Sequence, residues 1–264
     1  MKCLILAAGY ATRLYPLTKD FPKPLLEVAG KPILNWLIDD LNKTGLISEY
    51  IVVSNHKFAP IFEAWSQGTL GTPGTVFPVS SAANYRGAVP SVPITILDDG
   101  TTSNDTRLGA VRDILLAIDS KGIDEDLLVM AGDNLLSFSL QSFLAYAQSK
   151  NTTCIMRYYE PDESRLHKCG VAEVDASGLI LSMEEKPANP KSHWCCPPFY
   201  FYKKADLKLF EQGIAEGCGT DAPGSFIAWL STKTPVHAYE MPGPRYDIGT
   251  LESYEQVKQT FAKK

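Results

Sequence analysis

The stretch Leu4-Ile5-Leu6-Ala7-Ala8-Gly9-Tyr10-Ala11-Thr12-Arg13-Leu14 constrains this chain more than any other. Leu4 to Leu6 make a short apolar run of the kind that builds a buried strand. The small residues Ala7, Ala8 and Gly9 follow, and then Thr12 and Arg13. Small residues at the end of a strand let backbone N–H groups come close to a bound anion. Arg13, and Lys23 further on, add fixed positive charge beside that backbone. The pattern predicts a nucleoside triphosphate held at the C-terminal end of a first strand, against Leu6, Ala8, Gly9, Thr12, Arg13 and Lys23.

Such a strand needs a core around it. At 264 residues, 45% of them apolar and 21% charged, the chain can supply one. A single domain over 1–264 is expected, with a nucleotide-binding half at 1–135 and an acceptor-binding half at 136–264. The net charge of −5 argues against a general nucleic-acid binder. No stretch approaches a membrane span. The first apolar run is too short for an export leader and is broken by Thr12-Arg13, so a cytoplasmic protein is expected. The six cysteines contain no C-x-x-C and have no ligand spacing with His56, His167, His193 or His237. They read as reduced thiols packed as small hydrophobes.

Along the chain, Pro32 opens a helix over Ile33–Lys43, Tyr50–Ser54 is a buried strand, and Phe58–Trp65 is a helix with Pro60 in its first turn. Residues 68–93 read as a loop or flap. Pro93–Leu97 is a strand and Thr106–Ser120 a helix. The apolar strand beginning at Leu127 ends in Gly132-Asp133. Gly132 permits close backbone approach, and Asp133 is aimed off the strand end, where ligands bind in open α/β sheets. An aspartate there also suits a helix cap. Ser139–Lys150 reads as a helix, Cys169–Val174 and Leu179–Met183 as an antiparallel hairpin, Ala205–Gly217 as one amphipathic helix, and Leu251–Phe261 as the last helix. The alternation predicts an α/β fold: a Rossmann-like three-layer α/β/α sandwich on a mixed, mostly parallel central sheet. No hexapeptide repeat follows, so no C-terminal β-helix is expected.

LAAGYATRLYPLTKDFPKPLLEVAGKPIL resembles, nearly without gaps, the opening of the sugar-phosphate nucleotidyltransferases, L-A-x-G-x-G-T-R-L-x-P-L-T followed by x-P-K-P-L-L-x-V-x-x-K-P-I-L. The chain looks like their short glucose-1-phosphate thymidylyltransferase type. Gly132-Asp133-Asn134, Glu184-Glu185-Lys186-Pro187 and Tyr246-Asp247-Ile248-Gly249-Thr250 are similar to later motifs of that family. The resemblance implies a Mg2+-dependent enzyme that joins a nucleoside triphosphate to a sugar 1-phosphate and releases pyrophosphate. It favours dTTP or UTP, then CTP, and glucose 1-phosphate as acceptor. By the same resemblance Arg13 and Lys23 are catalytic and Gly132 lies at the nucleotide. Asp133 and Asp247 hold the magnesium, Gly170 and Glu185 meet the sugar, and Lys186 holds the acceptor's phosphate. Dimers and tetramers are common in the family, so a homo-oligomer stays open.

An attacking phosphate is already an anion near neutral pH, so such a reaction needs no strong general base. Its barrier is electrostatic, and positioning plus charge neutralisation are the tools for it. The base-selecting region, Asp98 to Gly100 and Thr106 to Gly109, departs from the thymidylyl and uridylyl pattern. Pro197-Pro198-Phe199 replaces a stretch of small residues. A cytidylyltransferase acting on phosphocholine or a glycerol phosphate is therefore an alternative. Ala11 stands where the family has glycine, so the loop is either reshaped or needs no special φ there. That substitution keeps a catalytically silent nucleotide-binding homologue as a second alternative. A dinucleotide-binding oxidoreductase would need G-x-G-x-x-G leading into a helix and an acidic residue near the end of the second strand, and it is discounted.

Overall fold

The computed structural model describes residues 1–70 and 92–262. Most of the loop expected over 68–93, residues 71–91, lies outside the described residues. The fold is α/β on a mixed central sheet with flanking helices. The chain forms two compact units: the first holds residues 5–107, 131–139 and 243–264, the second residues 1–4, 108–130 and 140–242.

In the first unit, the strand Glu49–Ser54 pairs in parallel with Ile94–Asp98, Tyr50 opposite Ile94 and Ser54 opposite Asp98. Tyr50 to Ser54 are all buried, which is why this strand reads as a continuous apolar run rather than an alternation. The N–H of Ala7, just past the strand Lys2–Leu6, donates to the Val53 carbonyl at 2.9 Å. The helix Ile33–Asn42 buries Ile33, Leu34, Leu37, Ile38 and Leu41, and the helix Ala59–Ser66 carries Pro60 in its first turn. Pro32 ends the two-residue strand Lys31–Pro32 and caps the first of these helices instead of beginning it.

The last helix, Leu251–Phe261, lies where the sequence predicts it and is capped by Thr250. Its Tyr254, Val257 and Phe261 pack with Leu14, Leu26, Val28, Ile33, Leu135 and Ile248. Each fully buried apolar side chain contributes roughly 1.5–3 kcal/mol, and the Tyr254 hydroxyl adds a hydrogen bond to the Glu27 carbonyl at 2.7 Å. This packing fastens the final segment of the chain to the segment that follows the first motif.

In the second unit the strand order is Ile180–Glu185, Gly170–Val174, Trp194–Cys196, Thr153–Tyr159, Phe199–Tyr202, Leu127–Ala131, with Val236–Glu240 parallel to Thr153–Tyr159. The expected hairpin is present: Ile180–Glu185 runs antiparallel to Gly170–Val174. Two helices depart from expectation. The one predicted to begin at Thr106 begins at Ala110, because Gly109 takes φ 90° and a Cβ there would strike the Thr220 carbonyl. The single helix predicted over Ala205–Gly217 is two, Lys204–Leu207 and Phe210–Ala215. Asp206 is buried in the first of them, taking the Thr153 hydroxyl's hydrogen bond at 2.5 Å.

The cysteines are also corrected. Cys169 and Cys195 form a disulfide, with Cα atoms 6.1 Å apart. Sheet register explains it: Cys195 lies opposite Val171 and Cys196 opposite Gly170, so Cys169 falls diagonally across from Cys195. Sequence spacing carries no trace of that register. Cys3, Cys154, Cys196 and Cys218 are free. No helix among the described residues is long and apolar enough to cross a membrane.

Candidate active site

The first unit gathers residues from three distant segments. Lys23 opens a single 3-10 turn, Lys23–Leu25, behind Pro22. That turn lies close against the end of the strand because Gly132 has no side chain: a Cβ there would sit 3.0 Å from Ile5 Cγ2 and 3.4 Å from Pro24. Lys23 is buried. Its Nζ donates to Asp133 Oδ2 at 2.7 Å and lies 4.0 Å from Asp247 Oδ1.

Asp247 reaches this place through a pairing the sequence does not announce. The strand Arg245–Asp247 runs antiparallel to Asn134–Leu136, which puts Asp247 opposite Asn134 and so beside Asp133. Asn134 Nδ2 donates to Asp133 Oδ1 at 2.8 Å, and Arg245 Nη1 donates to Asn134 Oδ1 at 2.5 Å. Both Asp133 oxygens are thus engaged. Burial alone would raise the Asp133 pKa, but the charge and hydrogen bond of Lys23, with Arg245 behind, hold it below the ordinary aspartate value. Neither aspartate caps a helix: Asp133 leads into a strand, and Thr250 caps the last helix.

The loop between the first strand and this cluster has the conformation its sequence leaves open. Ala11 takes φ 48° and ψ 42°, the left-handed conformation that glycine would adopt without strain. Its carbonyl accepts from the Leu14 N–H at 2.9 Å and the Thr18 hydroxyl at 2.8 Å. The position does need a positive φ, and the alanine supplies it. Gly9 is exposed, has no positive φ, and a Cβ there would meet nothing within 4 Å. Nothing among the described residues requires a glycine at that point, which suits a backbone kept bare for a ligand. Asn55 Nδ2 holds the Ala8 carbonyl at 2.9 Å, and the Tyr10 hydroxyl donates to the Thr101 carbonyl at 3.1 Å. Thr12 and Arg13 are exposed, and Arg13 makes no hydrogen bond or ion pair with the described residues.

In the second unit, Gly170 and Gly224 make room for one carboxylate. A Cβ on Gly170 would lie 3.0 Å from Glu185 Oε2, and one on Gly224 would overlap the same oxygen. The Glu185 carboxylate has no hydrogen-bond partner among the described residues. Burial raises its pKa; Lys186 pulls it down and Asp221 pushes it up. Lys186 follows with φ 50°, its N–H donating to the Cys169 carbonyl at 3.0 Å, and its exposed side chain has no ion pair among the described residues.

The structure therefore brings Lys23, Asp133, Asp247 and Gly132 together in one unit, and Gly170, Glu185 and Lys186 together in the other. Sequence reasoning places Asn134 and Arg245 in its motifs but gives them no role, and it gives none to Gly224. Arg245 had a readable signal, since it stands two residues before Asp247 on one strand and so shares its face. The two aspartates offer hard oxygen donors, and both face the same cation. That donor set suits Mg2+, which usually takes one or two carboxylates and completes its shell with water and substrate phosphates. No group of three or more potential metal-binding side chains occurs among the described residues.

The family model described as nucleotidyl transferase matches residues 2–264. The chain is 29% identical over 261 residues to the UTP--glucose-1-phosphate uridylyltransferase AglF of Haloferax volcanii, covering 98% of this chain and 96% of that one. It is 31% identical over 231 residues to a glucose-1-phosphate thymidylyltransferase of Mycobacterium tuberculosis, covering 86% and 67%. Its fold is similar to that of a UDP-glucose pyrophosphorylase solved with UDP-glucose, with a TM-score of 0.78 at 20% identity over 99% of this chain and 98% of that one.

Proposed function

The chain belongs to the nucleotidyl transferase family, and from that premise we propose that it joins a nucleoside triphosphate to a sugar 1-phosphate with release of pyrophosphate. UTP and dTTP are the first nucleotides to expect and glucose 1-phosphate the first acceptor, since two relatives carry those substrates in their names. Such metabolites are cytoplasmic, and the reading carries that location with it.

One observation supports the reading most: Lys23, Asp133 and Asp247, far apart in sequence, meet within 4.0 Å of one ammonium nitrogen. A cation between two carboxylates fits a site for a polyphosphate and its counter-ion. Asp133 and Asp247 would hold Mg2+, which supplies charge neutralisation for the phosphates when bound. Arg13, exposed and unpaired, would neutralise the departing β- and γ-phosphates, and Lys23 the α-phosphate. Lys186 would hold the acceptor's phosphate, and Glu185 would accept from sugar hydroxyls. An acceptor phosphate oxygen forms the new bond to the α-phosphorus as the bond from that phosphorus to the β-bridging oxygen breaks, and the electron pair leaves on pyrophosphate. No proton has to move in the step. Ala11 gives no ground for a silent homologue, because its backbone keeps the left-handed turn.

Pyrophosphate release with Mg2+ tests the reading, using UTP, dTTP, CTP, ATP and GTP against sugar 1-phosphates, phosphocholine and glycerol phosphate. A strong pair with a sugar 1-phosphate is expected. Silence across the sugar phosphates with turnover of phosphocholine would overturn it.

A further inference from the structure

The strands of the second unit line up a row of residues that no single sequence motif contains. Glu240 lies opposite Arg157, Cys196 opposite Gly170, and Gly170 opposite Glu185. Trp194 lies opposite Tyr159 and Cys195 opposite Tyr158, so the same register carried one residue further sets Cys196 beside Arg157. Directly opposed residues share a face. Five strands therefore present Glu240, Arg157, Cys196, Gly170 and Glu185 side by side. The electrostatics agree: burial raises the Cys196 thiol to about 12, with Glu185 pushing it up and Arg157 pulling it down.

The two members between Arg157 and Glu185, Cys196 and Gly170, are small and buried, so a cation and a carboxylate stand at the two ends of this inner stretch. Arg157 is the unexplained member. Its side chain is only 15% exposed, and its face lies over the Trp194 ring, 4.1 Å from the centroid. Its nearest charge is Glu240, 60% exposed and 3.6 Å away, too far for a hydrogen bond. Nε is buried with no partner. A guanidinium has five N–H donors, and none makes a hydrogen bond to the described residues. Stacking on an indole uses the face of the guanidinium and leaves its edge free. A desolvated, preorganised fork with unmet donors is a binding group for a planar or tetrahedral anion.

We propose that Arg157 is a specificity residue for the acceptor, receiving an acidic group carried by the sugar at the end remote from the phosphate that is transferred. This rests on the reading of Glu185 as the sugar-hydroxyl acceptor. Strands lie about 4.8 Å apart, so the Arg157 and Glu185 backbones are about 14 Å apart across three steps. One sugar ring and its substituent bridge that span. A neutral hexose would leave the Arg157 donors unmet, whereas a carboxylate or a second phosphate would satisfy them.

Calorimetric titration of the full chain with glucose 1-phosphate, glucuronic acid 1-phosphate and glucose 1,6-bisphosphate tests the assignment. At least one acidic acceptor is expected to bind roughly ten- to a hundredfold more tightly than glucose 1-phosphate, the range of one or two charge-assisted hydrogen bonds. Whichever acid wins identifies a carboxylate or a phosphate as the group read. Arg157→Met should abolish the advantage and leave glucose 1-phosphate binding unchanged. Arg157→Lys keeps the charge without the fork and should keep part of the advantage, and it carries the test if the methionine variant does not fold. Equal binding of all three by the unmodified protein overturns the proposal. So does an advantage that survives Arg157→Met, or a loss that falls equally on all three in both variants, the mark of a packing role on Trp194. Pyrophosphate release from UTP and glucose 1-phosphate in the same preparation separates the two readings. Release without an acid preference defeats this inference alone, and neither release nor binding with any acceptor defeats both.

Discussion

The two candidate clusters, one in each unit, treat charge in opposite ways. In the first, Lys23, Asp133, Asn134, Arg245 and Asp247 neutralise one another, and every oxygen of Asp133 has a donor. In the second, the charged ends of Glu185, Lys186 and Arg157 make no hydrogen bond among the described residues. A satisfied network holds its own geometry and repays part of its desolvation. An unsatisfied one costs stability and waits for a ligand to repay it. The contrast predicts that changes in the first group cost stability as well as activity, and that changes in the second cost binding alone.

The largest expected effects set two cations of the first unit against each other. Arg13→Ala should lower kcat for pyrophosphate release by about 10²–10³, the cost of a lost charge stabiliser, and leave Tm unchanged because Arg13 is exposed and has no partner among the described residues. Lys23→Ala should lose at least as much activity and also destabilise. It strands Asp133, whose side chain is about a third exposed, so the cost is about 1–3 kcal/mol instead of the full value for a buried pair. That is a fall of about 2–4 °C in Tm per kcal/mol for a chain of this size. Thermal melts beside the activity assay check both, and a stable Lys23→Ala protein would break the comparison.

The second unit should show the reverse signature. Lys186→Ala is expected to raise KM for the acceptor about tenfold or more, the loss of a charge-assisted contact, with the nucleotide KM and Tm unmoved. Glu185→Gln should lower kcat/KM for the acceptor and yet leave the protein as stable or slightly more so at neutral pH. A Glu185→Gln variant that melts early would place that carboxylate in the structural class instead.

A pH series of melts sharpens the same difference. The folded Asp133 pKa is held down, first against burial and then by Lys23. Its contribution is therefore complete above the unfolded aspartate value of about 3.9 and is lost as pH falls through the lower folded value. The folded Glu185 pKa is raised by burial. Its ionisation therefore costs stability, a cost absent below the unfolded glutamate value of about 4.3 and complete once pH passes the folded value. Asp133→Asn should flatten the acid limb of the stability curve, and Glu185→Gln should lift the neutral side. The same sign for both would refute the distinction.

How much of this was legible in the sequence depends on the distance over which each feature is encoded. The loop after the first strand, the Gly132-Asp133 strand end, the hairpin and the last helix are local patterns, and they lie where the residues predict. The features that are not legible come from pairing between remote strands. Arg245–Asp247 finds Asn134–Leu136, Cys169 finds Cys195, and Arg157 joins the row of Gly170 and Glu185 only through sheet register. The helix expected over 205–217 is divided after Leu207, and the bond from Thr153 to the buried Asp206 is another remote contact that its local pattern does not carry. Nothing local marks Gly224, and only the folded structure shows that it makes room for Glu185.

Ala11 is the smallest test and the one that bears on the loop itself. Its φ of 48° costs an L-residue about 1–2 kcal/mol, whereas glycine at that point would lose more chain entropy on folding, about 0.5–1 kcal/mol. The difference favours Ala11→Gly by about 0.5–1 kcal/mol, a rise of about 1–4 °C in Tm. The hydrogen bonds from Leu14 and Thr18 end on the Ala11 carbonyl, so they survive the change. Catalysis should hardly move, because the turn that presents Thr12 and Arg13 is already formed. A large gain in kcat in Ala11→Gly would mean that the alanine methyl obstructs the nucleotide, and a loss of stability would mean that the left-handed turn is imposed by packing that glycine cannot supply. With neither, the alanine is a modest cost in folding energy carried by a loop whose geometry belongs to the backbone.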